Sequence, residues 1–300
     1  MPDSVTEAVR VRVPAKVNLR LGVGPRRPDG FHELVTVFHA VGLFDELTAT
    51  ARDGLSLAIT GAPDLRADSS NLAWRAAELL AATAGIAPGV HLELTKKIPV
   101  AGGLAGGSAD AAAALLACSR LWGVEADLPA LAAQLGSDVA FALLGGTAIG
   151  TGRGERLEPV ADHAPLNWVL ATAGYGISTA QAYSTLDELR AVRATPEPIG
   201  PPDALLAALA AGDPEAVGLV LANDLQPAAF VLRPELRRTY DLGLEAGALG
   251  AVVSGSGPTC AFLCRDGEDA AHVAAVLRME EVAWDAVVTT GPVPGAQVVG

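Results

Sequence analysis

Between Pro99 and Ala114 the chain reads P-V-A-G-G-L-A-G-G-S-A-D-A-A-A-A, and this stretch narrows the possible folds more than any other. Glycine stands at 102, 103, 106 and 107, where it lets backbone N–H groups converge with no side chain in the way. From Ser108 the pattern turns alanine-rich and helical. A helix beginning there would present its unpaired first-turn N–H groups and its positive dipole end to the loop. Such a junction is an anion cradle, and polyphosphate is the anion that suits it best. A flexible glycine turn capped by Ser108 is the competing reading, and the loop alone names no reaction.

The rest of the composition bears on what that cradle can serve. A net charge of −13 argues against nucleic acid, whose binding depends on many basic groups neutralising phosphates. An acidic protein that handles an anion must concentrate its few cations locally. Only three lysines occur, Lys16, Lys96 and Lys97, and the last two immediately precede the loop. Half the residues are hydrophobic but aromatics are 4%, so the core is expected to be aliphatic and alanine-packed. No apolar run approaches the roughly 18–20 residues that span a bilayer. The N-terminal M-P-D-S-V-T-E-A-V-R lacks an apolar signal segment, so the expectation is a cytoplasmic protein with no membrane partner. Cys118, Cys260 and Cys264 have no paired spacing and read as buried packing, with neither a disulfide framework nor a zinc site.

Alternation and β-branching predict strands over 9–13 and 17–23, broken by Pro14, then over 34–41, 46–51 and 55–60. P-R-R-P-D-G (Pro25–Gly30) is a turn between them. A helix capped within Ser69–Asn71 runs to about Thr83 and ends at Gly85; a strand over 90–95 feeds the loop. A long helix then reaches Trp122, a short one covers 128–135, and G-S-D (Gly136–Asp138) restarts the pattern. Gly145–Val160 reads as a hairpin and Asp162–Pro165 as a domain boundary, giving domains 1–163 and 164–300. Beyond it come a strand over 167–172, a helix over 179–189, a proline-rich connector over 195–202 and two short alanine-rich helices to about Ala222. A helix over 234–245, strands over 250–254 and 260–264, a helix over 268–279 and a strand over 286–290 follow. Strands and helices mixed without regular βαβ alternation predict an α+β fold.

The loop is not a Walker loop, which would place Lys and then Ser or Thr after the last glycine, and the G-x-G-x-x-G dinucleotide fingerprint is missing. P-x3-G-L-A-G-G-S-A-D resembles the ATP motif of the GHMP kinases, the superfamily named for galactokinase, homoserine, mevalonate and phosphomevalonate kinases. Lys16 and the late turn V-S-G-S-G-P-T (Val253–Thr259) extend the resemblance to all three superfamily motifs, in order. P-A-K-V-N-L-R-L (Pro14–Leu21), R-P-D-G-F-H-E-L (Arg27–Leu34), L-G-S-D-V (Leu135–Val139) and A-N-D-L (Ala222–Leu225) are similar to the branch whose acceptor is a cytidine-diphosphate-linked methylerythritol. Two positions depart from that pattern. Ala140 replaces a usual proline after Asp138-Val139, and Ala105 replaces a glycine, which is tolerable only if its φ stays below zero.

The resemblance implies a two-domain GHMP kinase fold with the active site in the cleft between domains, using ATP and Mg²⁺ on a small-molecule acceptor. It places the nucleotide on Pro99, Val100, Ala101, Gly102, Gly103, Leu104, Ala105, Gly106, Gly107, Ser108 and Ala109. Phosphoryl transfer to an alcohol needs an oriented nucleophile, neutralised phosphate charge and an in-line approach. Asp138 is the candidate acceptor of the hydroxyl proton. An ordinary carboxylate, with a pKa of about 4, is a weak base for an alcohol, so orienting the hydroxyl counts for more than deprotonating it. Lys16 would keep Asp138 ionised and offset charge on the transferring group. Asn18 shares a strand face with Lys16 and is a candidate for positioning substrate or the Asp138 carboxylate. The Ser108 hydroxyl is a candidate for Mg²⁺ or a phosphate oxygen, and Asp110 for an indirect metal contact. For the base, the resemblance implies stacking by Phe31 and hydrogen bonds from His32, with Tyr183 closing the other face. Gly255 and Gly257 would let the backbone of the second domain approach the phosphate or the active-site Asp. Arg26 and Arg27 are expected in solvent, with contact to the acceptor's diphosphate as the alternative. Two rival readings stay open, a GHMP kinase for another alcohol such as mevalonate or homoserine, and a non-catalytic nucleotide sensor.

Overall fold

The computed structural model describes residues 8–161, 164–193 and 198–299. Its organising element is a long ribbon of two strands, β1 (Ala8–Arg26) and β2 (His32–Ala51), paired antiparallel from Ala8↔Thr50 to Arg26↔His32. Pro14 does not end a strand as expected. It sits at a register shift between Pro14 and Ala15, where a bulge absorbs the missing N–H and β1 carries on. Likewise 34–41 and 46–51 are one strand.

The ribbon forks at both ends. The half of β2 nearer Ala51 pairs with β4 (Val90–Thr95), which pairs in turn with β3 (Leu55–Thr60). The half nearer His32 pairs with β5 (Thr147–Gly152), joined by the expected hairpin to β6 (Arg156–Pro159). On the other side of β1 lie two short strands from late in the chain, β8 (Ala222–Asn223) and β12 (Gln297–Val298), neither visible in the residue pattern. Together they make an eight-stranded sheet.

Four helices cover the sheet: α1 (Leu72–Ala84), α2 (Gly106–Trp122), α3 (Leu128–Leu135) and α4 (Ser137–Leu144). Asn71 caps α1 by accepting from Ala73 N, and Gly85 ends it in the left-handed conformation. Helix α2 is buried around most of its circumference, which explains its run of alanines: small side chains let β1, β2, α1 and α4 approach it together. Leu115, fully buried there, would cost about 2–5 kcal/mol if cut to alanine.

A second, four-stranded antiparallel sheet has the order β11-β7-β10-β9, with β7 Leu166–Thr172, β9 Gly250–Val253, β10 Cys260–Cys264 and β11 Asp285–Gly291. Around it pack α5 (Thr179–Ala191), α6 (Asp203–Ala211), α7 (Pro214–Val220), α8 (Gln226–Leu232), α9 (Glu235–Glu245) and α10 (Gly267–Met279); α8 is unforeseen in the sequence. Gly243 lets α9 lie on Phe262, because a Cβ at that position would overlap the ring. Cys260 and Cys264 are buried and free, and burial pushes both thiols up to about 12, so they pack and do not react.

The architecture is α+β. Membership passes from the first sheet to the second between β6 and β7, with β8 and β12 returning to the first. The expected boundary at 163/164 falls at Asp162 and His163, and the start of the expected connector falls within 194–197; both lie outside the described residues. Among the described residues no helix is long and apolar enough to cross a membrane.

Candidate active site

Lys16 and Asn18 project from one face of β1, as their spacing requires. The Lys16 ammonium donates to Asn18 Oδ1 at 2.7 Å and to Gly103 O at 3.0 Å. Asn18 in turn donates to Thr36 Oγ1 at 2.8 Å, and Thr36 donates to Arg20 O, so the amide is locked from behind. Asp138 Oδ2 lies 3.6 Å from Lys16 Nζ. Gly136 produces this placement. It accepts the end of α3, takes an extended φ of 167° and serves as N-cap of α4, which puts Asp138 in a helical first turn where a carboxylate is favoured. Burial lowers the Lys16 pKa and the charge of Asp138 opposes that. Ala140, which replaces a family proline, lies within α4 and is buried.

This pair opens into a cavity of about 1010 Å³. Within the glycine loop, Ala101, Gly102, Gly103, Ala105, Gly106, Gly107 and Ser108 line it; Pro99, Val100, Leu104 and Ala109 do not. Leu104 is buried and its carbonyl accepts Lys16 N. Two expectations about the loop fail. Helix α2 begins at Gly106, so Ser108 sits inside the first turn and caps nothing. Ala105 is the N-cap with φ 59°, left-handed, and Ala101 has φ 53°. Both alanines hold a conformation that costs an L-residue about 1–2 kcal/mol and that the surrounding structure imposes.

The late glycine turn meets the loop at Gly103, whose carbonyl also accepts from Ser254 Oγ at 3.0 Å. A Cβ on Gly103 would overlap Ser254 O, and one on Gly255 would stand 3.3 Å from Lys16 Nζ. Gly255 therefore lies directly against the lysine. Gly257 is set back, its N–H closing the turn onto Ser254 O, and Ser256 faces the cavity instead. Asn223 fastens the turn, donating to Val253 O and Gly255 O at 2.7 Å each.

At the other end of the cavity the P-D-G turn presents Phe31, 52% exposed, beside a buried His32. The His32 ring stacks on Tyr183 with centroids 5.0 Å apart, and its Nε2 lies 2.9 Å from Asp187 Oδ1. Tyr183 and Asp187 are one turn apart on α5 and so share a face. Burial raises the Tyr183 pKa, and the charge of Asp138 raises it further. Arg27 is tied to Asp29 and, at 2.8 Å, to Glu33, whereas Arg26 does line the cavity. Asp224 holds this end together: it accepts from Val23 N at 2.7 Å and pairs with Arg190 of α5 at 3.1 Å.

Lys96 is not a phosphate cation. It is buried behind the loop between Asp45 and Asp110, with Asp110 Oδ2 at 2.8 Å, and Asp45 also accepts the N–H groups of Lys97 and Ile98. Asp110 thus belongs to an interior ion cluster with Lys96 and Asp45. The residues that sequence reasoning missed are Asp187, Asn223, Asp224 and Thr36. Asp187 was findable from its i+4 spacing to Tyr183; Asn223 and Asp224 stood in the recognised A-N-D-L run with no role attached.

The chain matches the GHMP kinases N terminal domain over residues 71–146 and the GHMP kinases C terminal domain over 205–280. A protein of Salinispora arenicola (strain CNS-205) named 4-diphosphocytidyl-2-C-methyl-D-erythritol kinase is 54% identical over 99% of this chain and 96% of its own length. One of the same name from Mycolicibacterium gilvum (strain PYR-GCK) is 56% identical over 98% of this chain and 94% of its own. The chain belongs to this kinase family. A crystal structure of a 4-(cytidine 5'-diphospho)-2C-methyl-D-erythritol kinase, 38% identical, superimposes with a TM-score of 0.77 over 93% of this chain and 98% of that one. Homoserine kinase from Cytophaga hutchinsonii shares the fold at 23% identity, with a TM-score of 0.76 over 100% of this chain and 99% of its own. The family and the shared fold thus separate two levels of likeness: GHMP architecture is common to both, and the identity to the relatives named for the cytidine acceptor is higher than that to the homoserine kinase.

Proposed function

We propose that this chain transfers the γ-phosphoryl group of ATP to the 2-hydroxyl of 4-diphosphocytidyl-2-C-methyl-D-erythritol, giving the 2-phosphate and ADP, in the methylerythritol phosphate route to isoprenoid precursors. The observation that carries the reading is the Lys16–Asp138 pair, 3.6 Å apart, facing a cavity with a glycine loop at one end and the His32–Tyr183 stack at the other. A nucleotide sensor has no use for that pair, and a mevalonate or homoserine kinase has no use for that stack.

The loop N–H groups and the first turn of α2 receive the triphosphate. Asp138 accepts a hydrogen bond from the 2-hydroxyl and orients the oxygen in line with the γ-phosphorus, then takes the proton as the new P–O bond forms and the bond to ADP breaks. Lys16, held by Asn18 and Gly103 O, places fixed positive charge where the equatorial phosphoryl oxygens gather charge. At the base end, a carboxylate only accepts, so the imidazole donates from Nε2 to Asp187, and in the tautomer that this fixes Nδ1 is left as an acceptor. That matches the 4-amino donor of cytosine. Phe31 and Tyr183 offer ring faces for the base.

The donors present fit Mg²⁺ delivered with the nucleotide. Ser108 offers a hydroxyl oxygen to the cavity, and among the described residues no three His, Cys, Asp or Glu side chains gather as a protein-built metal site. When bound, the ion neutralises phosphate charge and fixes the polyphosphate's shape.

The purified protein should release ADP with the cytidine acceptor and none with mevalonate or homoserine. ADP release with either of those and not with the cytidine acceptor would overturn the reading.

A further inference from the structure

The acceptor that this reading requires carries a diphosphate between its base and its reacting hydroxyl, and the cavity must hold those charges as well as ATP's. Three cations line the cavity: Lys16, Arg26 and Arg153. Lys16 serves the transferring phosphoryl group in that reading, and the Arg26 guanidinium donates from Nε to Gly30 O at 3.3 Å. Arg153 differs. Among the described residues its guanidinium makes neither an ion pair nor a hydrogen bond, and its only partner is the Phe31 ring, whose centroid lies 5.2 Å from Cζ.

The backbone around Arg153 is built to hold it there. It occupies the tip of the β5–β6 hairpin between Gly152 and Gly154, with φ of 74° and 102°, conformations open to glycine and costly for other residues. Gly154 N donates to Thr151 O at 3.0 Å, and Arg153 N donates to Glu155 Oε2 at 2.6 Å. A Cβ built on Gly154 would lie 3.3 Å from Phe38 Cζ and 3.7 Å from the Cβ of Ser137, the neighbour of Asp138. The hairpin tip therefore rests beside the reaction centre while its arginine reaches back over the base-end ring. Asp29, the acid whose charge Arg153 feels, is already taken by Arg27.

We propose that Arg153 is a specificity-determining residue that receives the acceptor's diphosphate: the free guanidinium bonds phosphate oxygens in its fork geometry while its plane covers Phe31. The site takes a nucleoside diphosphate ester, and the inference rests on the cytidine reading given above. Arginine suits this better than lysine, because a planar fork can pair phosphate and cover an aromatic face together.

The test compares equilibrium binding of cytidine and cytidine 5'-diphosphate to the full chain and to Arg153→Met, which keeps an apolar stem over Phe31 and removes the charge. The variant should weaken cytidine 5'-diphosphate about tenfold or more, change cytidine by less than about twofold, and leave the ATP KM untouched, since one charge-assisted contact is lost. Arg153→Lys should recover part of the loss, and raising salt should weaken cytidine 5'-diphosphate binding to the wild type more steeply than to Arg153→Met. Equal weakening of both ligands would make Arg153 a support for Phe31 only and overturn the proposal. No weakening of either, or no binding of cytidine 5'-diphosphate by the wild type, would overturn it too. Binding needs no turnover, so a protein that binds cytidine 5'-diphosphate through Arg153 yet forms no ADP with the acceptor would refute the activity alone.

Discussion

Two lysine–carboxylate clusters flank the glycine loop, and they use the same groups for opposite ends. On the cavity side, Lys16 and Asp138 stand 3.6 Å apart, with the Asp138 side chain 31% exposed. Behind the loop, Lys96 is sealed between Asp45 and Asp110, all three side chains no more than 2% exposed. The open pair has spare capacity: a carboxylate that can still accept a hydroxyl and an ammonium that can still meet phosphate. The sealed cluster is turned inward on the protein, joining β2, the exit of β4 and the second turn of α2, with Asp110 Oδ1 buried and lacking a hydrogen-bond partner among the described residues. The one pair is open to a ligand; the other is closed off from solvent.

The largest effects should separate the two. Asp138→Asn should lower kcat by roughly 10²–10⁴ with ATP affinity and thermal stability nearly unchanged. Steady-state kinetics beside a melting curve checks this, and wild-type turnover would remove Asp138 from the mechanism. Lys96→Met should do the reverse, losing about 3–5 kcal/mol of stability in a denaturant titration because two buried carboxylates lose their partner. A Lys96→Met protein as stable as wild type but without turnover would erase the contrast.

Smaller effects sharpen it. His32→Ala should raise the acceptor KM about tenfold and leave that of ATP alone, since it removes hydrogen bonds at the base end only; equal changes in both would put His32 in the wrong pocket. Burial raises Asp110 to about 7 against the pull of Lys96, with Asp45 adding to the rise. The unfolded chain ionises it near the ordinary 3.8, so between those values the folded protein keeps a proton that the unfolded chain has released. Asp110 thus favours folding at acidic pH, and its contribution declines as pH climbs toward about 7. The stability of the wild type relative to Asp110→Asn should fall over that window; a constant difference would mean that Asp110 stays charged in the fold. Smallest of all, Ala105→Gly should relieve the left-handed φ of 59° and stabilise the protein by about 1 kcal/mol, read as a raised denaturation midpoint; a lowered midpoint would locate no strain there.

Much of this was legible before any coordinates. Asn71, Gly85 and the Gly136 break mark helix ends through local rules, the spacing of Lys16 and Asn18 implies a shared strand face, and His32 and Asp138 stand in runs that the family resemblance singles out. What escaped depended on partners far along the chain. Nothing in the composition of 222–223 or 297–298 announces a strand, because each is made a strand by β1 alone. From the residues alone Asp110 is a candidate for an indirect metal contact or simply an acid near a helix start, and only tertiary packing shows it facing Lys96 and Asp45. Ala105 was judged by local preference, and its backbone is set by the loop closing on Gly103 and Ser254.

The two borrowed strands have a consequence for how the protein comes into being. β1 cannot complete its hydrogen-bonding edge until Ala222–Asn223 and Gln297–Val298 have arrived. During synthesis the first sheet must wait, one flank bare, for the second half of the polypeptide to leave the ribosome. An amino-terminal fragment carrying Lys16, the loop and Asp138 would hold nearly every group proposed above for the reaction and still present an unpaired edge to its neighbours. The enzyme is therefore assembled as a unit, its opening strand finished by its closing residues.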